Sequence, residues 1–371
     1  MATTNQEAQE TTARWATEHG AGMADFAGAY LSGSTIWRAA DAKLDPASDI
    51  DVVVVLDRED VPPKLGKFRW DDVLLDASYQ SAEELASPTA VLGDYHLAGC
   101  FRAEAPEPIA DPSGRLAALR EAVAPEFPRR AWVRRRCADA RARVLDRLGT
   151  VSAYAERGAP GADQGGEGPP PFHEQVITWL FGTGVTTHVL LAAGMRNPTI
   201  RLRYPAAREL LADYDLLEPA YDELLALLGC AHLDRVHVEA HLTALTEVFD
   251  ATAGVLDGLA EPSPLFFASD LRPEARPIAI DGSRALIDRG EHREAVFWIV
   301  ATFARCLTVL DRNGPRATFD RHAAPFADVL ADLGLASPAD LRARSRTTAA
   351  YLPRLAHLAE QVLAANPAAT N

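Results

Sequence analysis

The stretch GSTIWRAADAKLDPASDIDVVVVLD (residues 33–57) puts two acids, Asp49 and Asp51, at the mouth of an apolar run. Four consecutive valines, Val52 to Val55, favour a buried β-strand. Carboxylates beside such a run are costly unless something compensates their charge. Side chains alternate along a strand, so the two acids face one way, roughly 6.5–7 Å apart along the chain. Carboxylates so placed suit a hard, oxygen-seeking cation such as Mg²⁺. Upstream, FAGAYLSG (26–33) reads as a short buried strand, and TIWRAA after it as a short helix. Gly33 lets a phosphate approach the backbone closely. Ser34 can cap the helix or bond an anion, and the helix N-terminus offers free N–H groups. Arg38, one turn along, adds positive charge.

Downstream, KFRWDDVLLDASY (67–79) reads as one further strand, with Asp76 near its end. If it lies beside the 49–57 strand, Asp76 joins the face of Asp49 and Asp51. Three crowded carboxylates repel one another unless cations lie between them, which points to metal. PEPIADPSG (106–114) reads as a short edge strand, with proline at its margins. Helices are expected over 7–18 and 115–123.

After Pro128 the strand signals nearly vanish. A long helix is expected over 129–157, with Val133, Cys137, Val144 and Leu148 as its apolar stripe. Glycine and proline dominate 158–171, which reads as a flexible loop. Helices are then expected over 172–193, 205–229, 234–260, 293–312, 322–334 and 338–365. The fold class is α+β, a small mixed-sheet head followed by a helical body. Two domains are expected, the head over residues 1–125 and the body over 128–371.

Over 371 residues, nearly half apolar and a quarter charged, the composition is that of a globular chain. No stretch approaches the ~20 apolar residues that span a bilayer. The polar, acidic N-terminus resembles neither a signal nor a transit peptide. Four scattered cysteines without a CxxC suit a reducing cytoplasm. A net charge of −15 repels phosphate backbones, so no nucleic-acid or membrane partner is expected. A cationic small molecule would be favoured in an acidic cleft. His237 and His241 stand four apart on a helix but lack a third ligand and the HExxH pattern.

The ordered set Gly33-Ser34, Asp49-x-Asp51 and Asp76 resembles the polymerase-β-type nucleotidyltransferase superfamily. Within it, residues 1–260 look like the kanamycin nucleotidyltransferase branch. GKFRWDDVLLDASYQSAEEL, PIADPSGRL, VLDRLGT and FHEQVITWLFGTGVTTHVLL carry that likeness. Two departures stand out. The spacer between Ser34 and Asp49 is long, and the second acid of the pair is Asp51 where the kanamycin enzyme has Glu. The resemblance implies two Mg²⁺ ions on Asp49, Asp51 and Asp76, and a triphosphate, ATP, at Gly33, Ser34 and Arg38. It implies transfer of a nucleoside monophosphate to a hydroxyl of a small molecule such as an aminoglycoside. That would serve antibiotic resistance or natural-product chemistry, in a cytoplasmic enzyme that could be a homodimer. The general base falls on the long helix, at Asp146 or at Asp139 seven residues earlier, with Asp76 as the third choice. Two rival readings are a protein or tRNA acceptor, as in nucleotidylating toxins, and a catalytically inactive nucleotide-binding regulator.

Overall fold

The structure is a computed structural model that describes residues 3–157 and 168–371. Of the expected loop 158–171, residues 158–167 lie outside the described residues. The chain opens with helix α1 (Asn5–Ala21), capped by Thr4 and Glu7 in a reciprocal box. Four strands follow: β1 (Phe26–Ser32), β2 (Ile50–Leu56), β3 (Gly66–Trp70) and β4 (Val73–Ser81). They form one mixed sheet in the order β1-β2-β4-β3. β1 and β2 are antiparallel, β2 and β4 parallel, β4 and β3 antiparallel.

The expected single strand over 67–79 is instead the β3–β4 hairpin. Asp71 and Asp72 turn it, both with positive φ (45° and 65°). Two successive residues of that hand make the tight turn that matches strand twist. The sequence signal is an Asp-Asp pair rather than the usual Asn-Gly, which is why periodicity alone runs through it. The expected edge strand at 106–114 reduces to one bridge between Ala110 and Ala29. Pro106, Pro108 and Pro112 remove the donors a longer ladder needs.

The helix expected over TIWRAA is a single 3-10 turn, Thr35–Trp37. The Asn5 amide explains the arrest. It donates to the carbonyls of Thr35 and Arg38 at 3.0 and 3.3 Å, taking acceptors a longer helix would use. The long loop after it is also fastened to α1, through Asn5 N–H to Ala42 O and Gln6 N–H to Ala40 O.

Helices α2 (Pro88–Gly93) and α3 (Arg115–Val123) complete the head. The body holds α4 (Arg130–Arg157), α5 (Phe172–Ala193), α6 (Arg203–Asp213), α7 (Ala220–Leu228), α8 (Arg235–Asp257) and α9 (Gly282–Asp288). It ends with α10 (His292–Asn313), α11 (Arg316–Asp332) and α12 (Pro338–Ala365). The single helix expected over 205–229 is thus two, α6 and α7. Val133, Cys137, Val144 and Leu148 are all buried, as the stripe on α4 predicts.

Two hydrophobic cores divide the chain. One joins α1, the sheet and α2–α3, with Val52, Val54, Leu75 and Ala77 fully enclosed. The other fills the helical body around Trp179, Phe249, Phe297 and Phe303, and takes in Leu74 and Tyr95 from the head. The C-terminus returns to α4, where Arg130 N–H donates to Thr370 O at 2.8 Å. Contrary to the composition-based expectation, α5 is long and apolar enough to cross a membrane (mean hydropathy 1.5). In the protein 83% of that window is buried, as befits the central helix of a bundle.

Candidate metal centre

β2 and β4 pair so that Asp51 stands directly opposite Asp76, and Asp49 precedes β2 by one residue. One carboxylate oxygen from each of the three acids lies within 4.8 Å of the others. The acids are thus brought together by strand register. Gly33, at the end of β1, closes the group. Its φ is +68°, and a Cβ there would lie 1.7 Å from Asp51 Oδ2. No residue but glycine fits both the backbone and the space.

Four cationic and acidic partners went unread in the sequence. Lys67, opposite Asp76 on β3, places its Nζ 2.6 Å from Asp76, 2.8 Å from Asp270 and 2.9 Å from Asp49. Lys64 Nζ lies 2.7 Å from the other oxygen of Asp76. Asp270 comes from a 3-10 turn of the body (Ala268–Leu271) and pairs with Arg305 of α10 at 3.0 Å. Gly66 lets that turn approach β3: φ is +78°, and a Cβ would meet Ser269 Oγ at 2.1 Å. The cations that crowded carboxylates require are therefore partly supplied by the chain itself. For the two lysines, composition carries a signal that could have found them. Of 37 basic residues only three are lysines, and two of those are Lys64 and Lys67.

Electrostatics separates the members of the cluster. Burial pushes the Asp51 carboxyl well above its ordinary range, and the charges of Asp49 and Asp76 push it further. Among the described residues Asp51 forms no ion pair and its carboxylate accepts no hydrogen bond. Burial works against the charge of Lys67, but Asp49, Asp270 and Asp76 overcome it and hold the ammonium well above the ordinary lysine range. Burial likewise opposes ionisation of Asp270, yet Lys67 and Arg305 keep its carboxyl below the usual value. The donor set is all carboxylate oxygen, the chemistry a hard divalent cation prefers, so the residues fit Mg²⁺.

Ser34 starts the 3-10 turn and makes no capping hydrogen bond with its side chain. It lines a cleft of about 560 Å³ between head and body, together with Trp37, Arg38, Arg196, Glu209 and Arg289. That volume is in the range of small-molecule sites, roughly 300–1,000 Å³. Arg38 forms no ion pair among the described residues. Neither does Arg201, whose guanidinium donates to Ala47 O at 3.3 Å. Burial lowers the Arg201 pKa, with Asp45 and Asp49 opposing.

On α4, Asp139 accepts from the Tyr95 N–H at 3.2 Å and pairs with Arg143 at 3.3 Å. Asp146 is exposed and without an ion pair among the described residues. His237 and His241 go to different acids, Asp234 and Asp332, at 2.8 and 2.9 Å.

No protein-family model matches the chain, and neither does any curated protein. Among solved structures it is similar to a nucleotidyltransferase-like protein from Exiguobacterium sibiricum 255-15. The match is 11% identical, covers 88% of this chain and 92% of that one, and has a TM-score of 0.28. A likeness that distant adds nothing on activity. Fold and site define the class from within: an α+β chain whose small mixed sheet presents a carboxylate triad to a helical body.

Proposed function

We propose that the chain is a Mg²⁺-dependent nucleotidyltransferase that moves a nucleoside monophosphate, AMP from ATP, to a hydroxyl of a small molecule. The observation that carries this reading is the Asp49–Asp51–Asp76 triad, set by strand register beside Gly33, with a cleft lined by Ser34 and Arg38 following on the same segment. Bound Mg²⁺ would neutralise phosphate charge and favour departure of pyrophosphate. The chain's own residues do the rest. Gly33 leaves to the Asp51 carboxylate the space a Cβ would take, and the Ser34 hydroxyl, without a hydrogen bond among the described residues, can donate to a phosphate. Arg38 and Arg201 supply positive charge and form no ion pair among the described residues. The acceptor hydroxyl is a poor nucleophile and gains from a base. Among the described residues Asp146 is exposed with no partner on its carboxylate, whereas Asp139 would first have to release Tyr95 and Arg143. The cleft also holds Glu209, which suits a cationic acceptor such as an aminoglycoside acting as substrate in the cytoplasm.

Coupled ligand binding tests the reading. ATP at 100 times its Kd should stabilise the fold by about 2.7 kcal/mol. The rise in Tm should need Mg²⁺ and vanish in Asp51→Asn. If no triphosphate shifts Tm with Mg²⁺ present, the reading is wrong.

A further inference from the structure

The triad is already part-filled by the protein's own cations. Lys67 Nζ has three carboxylate oxygens around it, from Asp49, Asp76 and Asp270, all within 2.9 Å. The ammonium donates to Asp76 Oδ2, and the Asp49 and Asp270 oxygens stand beside it as ion-pair partners. Lys64 also donates to Asp76 Oδ2, at 2.8 Å, and its Nζ lies 2.7 Å from Oδ1. On the other side, Asp51 forms no ion pair among the described residues, and Lys67 and Lys64 act on it only at longer range. Asp49, Asp51, Asp76 and Asp270 face Lys64, Lys67 and Arg305, so four negative charges meet three positive ones. One divalent ion brings that set to a single positive charge. Three carboxylates with two divalent ions reach the same total.

We propose that this site takes one divalent ion, ligated by Asp51 and Asp49, and that the Lys67 ammonium stands permanently where a second ion would sit. The inference rests on the nucleotidyl-transfer reading and narrows it. Asp270 and Arg305 become positioning residues: they hold Lys67 against Asp49 and Asp76 from the helical body. Both lie in the helical body, and Gly66 admits the Asp270 segment to the sheet. The body thereby completes the charge balance of the head. A lysine suits this place where arginine would not. Its ammonium is a compact point charge with tetrahedral donors, while a planar guanidinium cannot face three convergent carboxylates.

Manganese counting tests it on the full chain. Mn²⁺ bound after equilibrium dialysis is measured by elemental analysis and by electron paramagnetic resonance, with and without α,β-methylene-ATP. The expected result is one Mn²⁺ per chain in both conditions, with an uncoupled six-line spectrum. Lys67→Met should take up a second ion, show spin coupling, and gain more in Tm from Mn²⁺ than the parent does. Lys67→Arg should remain folded but lose the single-ion stoichiometry. Two coupled ions in the unmodified chain overturn the inference and leave the transfer reading standing. No bound Mn²⁺ in either condition overturns both. A folded Lys67→Met that still holds one ion removes the lysine from the account, and if that variant does not fold, the unmodified chain's stoichiometry still decides.

Discussion

Two charged junctions tie the head to the body, and they are finished differently. At the first, Arg143 of α4 bridges Asp94 at 2.5 Å and Asp139 at 3.3 Å. Backbone donors supply the rest: Asp94 accepts from His96 and Leu97 N–H at 2.7 and 2.9 Å, and Asp139 from Tyr95 N–H. Two acids share one guanidinium, yet both are satisfied. At the second, four acids share Lys64, Lys67 and Arg305; among the described residues Asp51 has neither ion pair nor donor, and Asp76 Oδ1 and Asp270 Oδ1 accept no hydrogen bond. The first junction is closed and structural. The second is left one cation short. Spare acceptor capacity, rather than the number of acids, marks the place where a ligand belongs.

The comparison can be broken most forcefully at Lys67. Lys67→Met leaves buried carboxylates facing one another, a loss of about 3–5 kcal/mol by analogy with other broken buried pairs. Urea titration without metal reads it, and a cost below 1 kcal/mol would mean the cluster is not held as described. Gly33→Ala comes next. Its Cβ would collide with Asp51 Oδ2, so divalent-ion affinity should drop at least about 100-fold, some 2.7 kcal/mol. Calorimetry with Mn²⁺ checks this, and unchanged affinity would show that Asp51 has room to move.

A paired substitution sharpens the contrast. Asp94→Ala should cost about 1–2 kcal/mol, because two N–H groups and Arg143 lose their acceptor. Asp51→Asn should instead raise Tm in metal-free buffer, since folding forces that charge toward Asp49 and Asp76. If both variants lose stability alike, the open and closed junctions are not different in kind.

The closed junction should also respond to acid. His188 is buried beside Tyr95 (3.4 Å), and its Nε2 contacts Thr199 O at 3.0 Å. Burial, then the Arg203 charge, holds its pKa well below 6.5. The folded state therefore refuses a proton that the unfolded chain accepts. Its contribution is full above pH 6.5 and is lost as pH falls below that value, by at most about 1.4 kcal/mol at pH 5.5. His188→Gln should flatten that part of the stability profile; an unaltered slope assigns the acid loss to other groups.

Much of this was legible in the chain. The valine run, the Gly33-Ser34 step and the two-residue spacing of Asp49 and Asp51 are local signals, and strand register carries them into three dimensions unchanged. The apolar stripe of α4 placed that helix, and the helical stretch expected over 338–365 coincides with α12. The rest was long-range. Asp270 and Arg305 lie some two hundred residues from β3, and nothing local to either points to Lys67. Arg305 sits within the buried run of α10, where sequence alone shows an apolar helix. The β3–β4 turn was hidden because Asp71-Asp72 sits inside an otherwise continuous strand pattern. The TIWRAA helix was cut short by a side chain, Asn5, from another element.

The central claim is that the open junction is a catalytic metal site, and pyrophosphate release tests it most directly. Each common radiolabelled triphosphate is incubated with Mg²⁺ and a panel of aminoglycosides and polyols, using the unmodified chain and Asp51→Asn side by side. The account predicts acceptor-dependent pyrophosphate release and a labelled product with at least one triphosphate. Release should be lost on chelation and reduced at least about 1,000-fold in Asp51→Asn, some 4 kcal/mol of barrier. Equal turnover in the two proteins, or none in the unmodified chain with any triphosphate, would contradict it.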